Sequence, residues 1–319
     1  MGFFTNSLVK NINIGSNVKF VNNSMFNLFY FCNNFNSLVT IPNGITNIYQ
    51  TFIGCKNFNQ PVAIPNSVTM MSSTFHECTK FNQPITVPNS VTSMVNTFYN
   101  CTNFNKPVTI LSGAKDLTRT FWQCTKFNHP ITIPNGTTSM NNTFYNCSSF
   151  NSLVTVPNSM TSMYMAFPNC ISFNQPITIP NSVTNMHSTF FGCSSFNQPI
   201  TIPNSVTDVT SAFYSATNFN SPVVIGANVR YLTNTFYRCA GLASNITILS
   251  PNVINVKNML YSKSNSKRIN IIVPAGSNTN TTIMYNNTLS VFGANFTWTI
   301  DSSNNCQYNS TRNIYVYWV

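Results

Sequence analysis

The chain is poor in charge. Asp, Glu, Lys and Arg together make up 6% of its 319 residues, against roughly a quarter in ordinary soluble domains. Acids are scarcest, with Glu77, Asp116, Asp208 and Asp301 the full set. Four isolated carboxylates offer no pair for general acid–base work. The net charge of +11 therefore reflects missing acids more than clustered bases. The fifteen Lys and Arg are spread thinly, and the densest group is Lys263, Lys267 and Arg268. That is not the clustered, aromatic-interleaved pattern of a nucleic-acid groove, and no specific nucleic acid is expected as a partner. His76, His129 and His187 are the only histidines, and they fall in three different slots of the repeat described below. The chain has no Gly-rich phosphate loop and no Cys-x-x-Cys pair. No apolar run approaches the ~18 residues of a membrane span. The start, Met1-Gly2-Phe3-Phe4-Thr5-Asn6, shows no basic segment leading into an apolar run, so a Sec-type signal is not expected. These absences argue against an enzyme and against any bound cofactor or metal.

What the chain has instead is period. Cys32, Cys55, Cys78, Cys101, Cys124, Cys147, Cys170 and Cys193 are each 23 residues apart. The next slot holds Ala216, the one after returns to Cys239, and only Cys306 is off the grid. A disulfide framework does not need equal spacing, whereas stacked coils do, because each equivalent position lands above the last. The nine grid cysteines read as a ladder of buried thiols packed as small hydrophobes. Ala216 supports this, since Ala can replace a buried thiol but neither a bridge nor a ligand. A Phe stands three residues before every slot, from Phe29 to Phe236, and another three residues after, from Phe35 to Phe219, with Leu242 last. This spacing predicts one face of a short helical or 3-10 turn.

A β-branched triplet follows in each repeat, such as Ile85-Thr86-Val87 or Ile200-Thr201-Ile202. Its alternation predicts a strand with its ends turned inward and its middle outward. Pro commonly brackets it, as Pro84 and Pro88 do, and Pro ends a paired ladder. Stacking the coils makes a parallel sheet. The outward residues Thr40, Thr86, Thr109, Thr132, Thr155, Thr178, Thr201 and Thr247 form a column interrupted by Ala63 and Val224. This neutral face is the candidate binding surface. Asn36, Asn59, Asn82 and their equivalents through Asn220 are expected to form a buried ladder that caps turn backbones.

The unit Phe-Asn-Gln-Pro-Ile-Thr-Ile-Pro-Asn-Ser-Val-Thr-x-Met, closed by Thr-Phe-x-x-Cys, resembles BspA-type (treponemal) leucine-rich repeats. Its Phe-Asn-Gln start and Val-Thr-x-Met spacing resemble the related repeats of mycoplasma-type surface lipoproteins. The likeness covers residues 29–262 and departs at Leu111-Ser112-Gly113, where Pro-Asn-Ser is expected. It implies a solenoid with surface, adhesive or binding roles and transfers no catalytic residue.

The expected fold is a repeat solenoid of about ten leucine-rich-repeat-like coils. A parallel β-sheet lines one face, short helical or 3-10 turns lie opposite, and a small C-terminal β cap ends the stack. Residues 1–28 read as a degenerate capping coil, 29–262 as the array and 263–319 as a β-rich cap or docking segment. The leading functional expectation is a phage virion component, a tail, fibre or head decoration protein. The alternatives are a bacterial or protist adhesin and an intracellular interaction scaffold. Expected partners are a protein on a virion or host surface, or a glycan, with self-association through the cap. The expected location is a virion or an extracellular surface, reached from the cytoplasm of the producing cell.

Overall fold

A computed structural model describes residues 4, 18–261, 268–274, 299–301, 306–309 and 314–318. The chain forms two compact units, Met1–Met160 and Thr161–Val319. Both are parallel stacks of 23-residue coils. In the first unit, β1 (Ile85–Val87) pairs in parallel with β2 (Val108–Ile110), and β3 (Ile131–Thr132) pairs with β4 (Val154–Thr155). The register sets Ile85 against Val108 and Thr86 against Thr109, a shift of one coil. In the second unit, β5 (Ile200–Ile202), β6 (Val223–Ile225), β7 (Ile246–Ile248) and β8 (Ile269–Val273) continue in parallel. The C-terminal strands β9 (Thr299–Asp301), β10 (Cys306–Asn309) and β11 (Ile314–Trp318) complete a seven-stranded sheet ordered β5-β6-β7-β8-β11-β10-β9. There β11 joins β8 in parallel, while β10 runs antiparallel to both β11 and β9.

Strands are fewer than the triplets predict. Val39, Thr40 and Ile41 keep the in–out–in alternation, with Val39 and Ile41 each 4% exposed, yet form no strand; nor do the triplets at 62–64 and 177–179. Flanking proline does not separate the two cases, since Pro84 and Pro88 bracket strand β1 as Pro61 and Pro65 bracket residues 62–64. Leu111 adds a bond that proline cannot make. It replaces the usual Pro, and its N–H donates to the Val87 carbonyl at 3.1 Å.

The opposite arm differs from the expected helical turn. Among the described residues only Val21–Asn23 is helical, as a 3-10 turn. Elsewhere the arm is a string of overlapping β-turns. In one coil the N–H groups of Thr74, His76 and Cys78 bond back to the carbonyls of Met71, Ser73 and Phe75. The alternate N–H groups of Ser73, Phe75 and Glu77 reach the next coil, to the carbonyls of Val95, Thr97 and Tyr99 at 2.7–2.9 Å. This requires left-handed residues at two slots per coil, φ +55° at Ser73 and +60° at Glu77, repeated at Asn96 and Asn100 and at Asn142 and Asn146. A helix would bond every N–H beyond its first four internally and leave none of those for the neighbouring coil. The string of turns divides them, so the arm becomes a second inter-coil ladder.

The core is columnar. Phe52, Phe75, Phe98, Phe121 and Phe144 stack face to face at 5.5–5.6 Å between centroids. A second column, Phe58 to Phe150, stacks at 5.6–6.0 Å and lies 4.3–4.7 Å from the first within each coil. The second unit repeats this, with Phe167, Phe190, Phe213 and Phe236 at 5.3–5.6 Å. Phe4 extends the first column, 5.8 Å from Phe29. Residues 5–17 of the expected N-terminal capping coil, residues 275–298 of the expected C-terminal cap, and Lys263 and Lys267 lie outside the described residues.

Candidate functional site

The strand face places the threonine column outward. Thr40, Thr86, Thr109, Thr132 and Thr155 are exposed in the first unit, with Thr86 opposite Thr109 and Thr132 opposite Thr155. In the second unit Thr178 and Thr201 are exposed and Thr247 is half-exposed, with Val224 between the last two. Alternation alone causes this, because the flanking Ile and Val occupy the inward positions.

One concavity opens on this face in the second unit. It has a volume of about 430 Å³ and is lined by Pro176, Ile177, Thr178, Ile179, Asn181, Pro199, Thr201 and Pro203. Prolines wall it, and hydroxyls and one carboxamide supply its polarity. None of these side chains titrates, so the groove can hydrogen-bond and pack but has no acid, base or nucleophile of enhanced reactivity.

The asparagine ladder lies where the arm turns into the strand. Asn36 Oδ1 accepts the Asn59 N–H at 2.8 Å, and Asn59, Asn82, Asn105 and Asn128 repeat the bond at 2.8–3.0 Å. The ladder caps backbone as expected but is not buried, since Asn36, Asn105 and Asn128 are exposed.

The cysteine column is structural. Cys32, Cys55, Cys78, Cys101, Cys124, Cys147, Cys170, Cys193 and Cys239 are all buried free thiols. Cys55 Sγ donates to the Phe29 carbonyl of the preceding coil at 3.0 Å, and the same bond recurs up to Cys239 with Phe213. Burial, aided in several cases by the neighbouring thiol, pushes Cys55, Cys78, Cys101, Cys124, Cys147, Cys193 and Cys239 far above the ordinary cysteine value. Among the described residues no group of His, Cys, Asp or Glu has a metal-binding arrangement. The histidines do not converge. His76 lies 3.5 Å from Glu77, His187 lies 4.0 Å from Asp208, and His129 contacts the Asn105 carbonyl.

Two rows escaped the sequence reading. Thr51, Thr74, Thr97, Thr120 and Thr143 are fully buried; the first four hydroxyls each reach two carbonyls, as Thr120 reaches Met94 at 3.0 Å and Leu117 at 2.8 Å, and Thr143 reaches Leu117 at 2.8 Å. The second row is aromatic and half-exposed, two residues before the cysteine slot. In the first unit His76, Tyr99, Trp122 and Tyr145 stack at 4.4, 5.7 and 3.8 Å. In the second, Phe191, Tyr214, Tyr237 and Tyr261 stack at 4.6–4.8 Å. Spacing of 23 residues, with one step of 24 from Tyr237 to Tyr261, was the available signal for both. The rings cover one another's faces, so the aromatic row presents edges and polar tips. Arg268 sits over Tyr315 at 3.8 Å and bonds to Tyr317 and Asn270. Among the described residues no helix is long and apolar enough to cross a membrane.

Comparison with solved structures agrees with this architecture. A leucine-rich repeat protein from Bacteroides ovatus ATCC 8483 is 22% identical with a TM-score of 0.50, over 73% of this chain and 66% of that one. A leucine rich cell surface protein from Faecalibacterium prausnitzii A2-165 is 19% identical with a TM-score of 0.45, over 84% of this chain and 79% of that one. No curated protein matches the chain. A family model described as "Mycoplasma protein of unknown function, DUF285" matches residues 23–135, 115–223 and 161–275. The BspA-like repeat pattern with mycoplasma-type features thus has both a structural and a family counterpart. Since these matches span most of its length, the chain belongs to the family of Mycoplasma proteins of unknown function, DUF285.

Proposed function

We propose that the chain is a non-enzymatic binding protein of the attachment type, holding a protein or glycan partner against the outward side of its strands. The observation that carries this reading is the groove of about 430 Å³ whose lining includes Thr178 and Thr201. It is concave, walled by proline and free of ionisable groups, the character of a recognition site rather than a reaction site. The test is a Thr178→Lys/Thr201→Lys double variant compared with Ile171→Lys, which alters a side chain 48% exposed and outside the groove lining. Beads coated with the full chain are scored for adhesion to intact cells and to a glycan array. The double variant is expected to lose adhesion and the Ile171 variant to keep it; adhesion unchanged in the double variant rejects the reading.

The bearer of the protein is the finer part of the proposal. A virion component must be found in purified particles by mass spectrometry. A cell-borne adhesin must instead be labelled on intact producing cells. Self-association belongs to the same reading. It would run through β9, the last strand of its sheet, since an edge strand offers unpaired backbone groups. Light scattering of the full chain measures it.

A further inference from the structure

The geometry points to a second site, on a different face: a lysine-bearing edge of the first unit that binds an anionic polysaccharide. The edge is the short stretch of each coil between the cysteine and the strand. Four successive coils carry there Lys56, Lys80, Lys106 and Lys126, all exposed. Their intervals of 24, 26 and 20 residues follow no period, yet the coil stack brings them to one edge. The Lys80 N–H donates to the Lys56 carbonyl at 3.1 Å, the Asn103 N–H donates to the Thr79 carbonyl at 3.2 Å, and Lys126 Nζ reaches Asn103 Oδ1 at 2.7 Å. His129 adds a fifth nitrogen group on the same stretch, against the Asn105 carbonyl.

Three observations separate this edge from a merely basic surface. First, these stretches contain no acid, and among the described residues the only carboxylate ion pairs are made by histidines, so the lysines are not neutralised within the molecule. Second, the fold does not need lysine there. The matching stretches of the second unit, residues 171–175, 194–198, 217–221 and 240–244, carry no charged residue at all. Third, the charges form a row stepped by the coil repeat, which suits a linear polyanion. The positions around them are Thr79, Thr102, Thr125 and Asn103, neutral groups that suit sugar hydroxyls. A single-stranded nucleic acid fits less well, because such strands are held by stacking bases on open ring faces. The neighbouring aromatic row closes its faces, with Trp122 between Tyr99 at 5.7 Å and Tyr145 at 3.8 Å.

The test uses the full chain and three probes: dextran sulfate, neutral dextran of matched length, and a single-stranded oligothymidylate. A variant with Lys56→Thr, Lys80→Asn, Lys106→Gln and Lys126→Asn takes residues that other coils already hold in those slots. Its control removes the same charge elsewhere, with Lys19→Asn, Lys115→Asn, Arg230→Asn and Lys257→Asn, all exposed positions. Dextran sulfate is expected to bind the parent, and neutral dextran is not. The edge variant should bind at least about tenfold more weakly with a flatter salt dependence, and the control should lose less than about threefold. Equal losses in the two variants would assign binding to diffuse net charge and overturn the site. Oligothymidylate bound through these lysines as tightly as dextran sulfate would overturn the assignment to a polysaccharide. Circular dichroism of both variants verifies that each remains folded.

Discussion

The thiols and hydroxyls inside the coils do the same work by different means. The Cys Sγ and buried Thr Oγ1 groups donate a second bond to carbonyls that already accept a turn N–H, as Cys78 and Thr74 do at Phe52 and Ile48, so the columns tie one coil to the next as well as fill space. Replacing Thr97 with Val keeps the volume and removes bonds to Met71 and Met94. The variant should lose about 1–2 kcal/mol in chemical denaturation. The cysteines make a pH prediction. Seven of them have folded-state pKa values raised well above 9.0, the ordinary value. Their contribution is complete below that value and is lost as pH rises beyond it, because the unfolded chain ionises there and the folded chain does not. Each should remove about 1.4 kcal/mol of stability per pH unit above that point. Equilibrium unfolding followed from pH 8 to 11 is expected to show an unusually steep alkaline limb. A Cys124→Ala variant should show a shallower one. A parent limb no steeper than that of a protein lacking buried thiols would contradict the ladder.

At the scale of elements, the two arms of a coil were unequally readable. The strand side followed directly from Ile-Thr-Ile alternation and from the prolines that bound it. The turn side did not. Phe, Cys and Phe at three-residue steps place all three side chains inward on a helical turn and on a string of β-turns alike, so spacing could not separate them. The deciding signal was weaker: Asn or Gly, which tolerate positive φ, at many of the left-handed slots, diluted by Ser73, Glu77, Arg119, Met165 and Arg238 at others. Gln123 occupies one of them at φ +58°, where other coils place Gly54 and Gly192. Gln123→Gly should be neutral or stabilising by up to about 1 kcal/mol, while Gln123→Val should cost roughly 2 kcal/mol, as thermal unfolding will measure. The asparagine ladder was correctly assigned to backbone capping and wrongly assigned to the interior, because capping by Oδ1 does not require burial, and Asn36, Asn105 and Asn128 cap while exposed. The lysine edge stayed hidden for a different reason. Its members occupy three different slots, and only the assembled stack makes neighbours of residues that share no period.

For the whole molecule, stability comes from repetition without covalent staples. All nine grid cysteines are free, so a reductant should leave the melting temperature unchanged within about 2 °C, a shift that would correspond to well under 1 kcal/mol. A fall of several degrees would reveal bridges. The sparse charge has a related effect. With only four acids, few ion pairs are available to screen, and added salt should alter ligand capture more than it alters melting.

The columns also bear on inheritance. Within each unit, most residues in a Phe, Cys or Thr column have, one coil above and below, another copy of their own kind, with Ala212, Ala216 and Leu242 among the exceptions. Removing residues 79–101 would join Cys78 to Thr102 and set Phe75 beneath Phe121, so the Phe, Cys and Thr columns would keep their types while the outer row changed, with His76 beneath Trp122 in place of Tyr99. Recombination between neighbouring repeats therefore yields foldable products when it slips by whole coils and ruined ones when it slips by fractions. Length becomes a trait that can drift in steps of 23 residues, while the lysines, which obey no period, would be rearranged by each step.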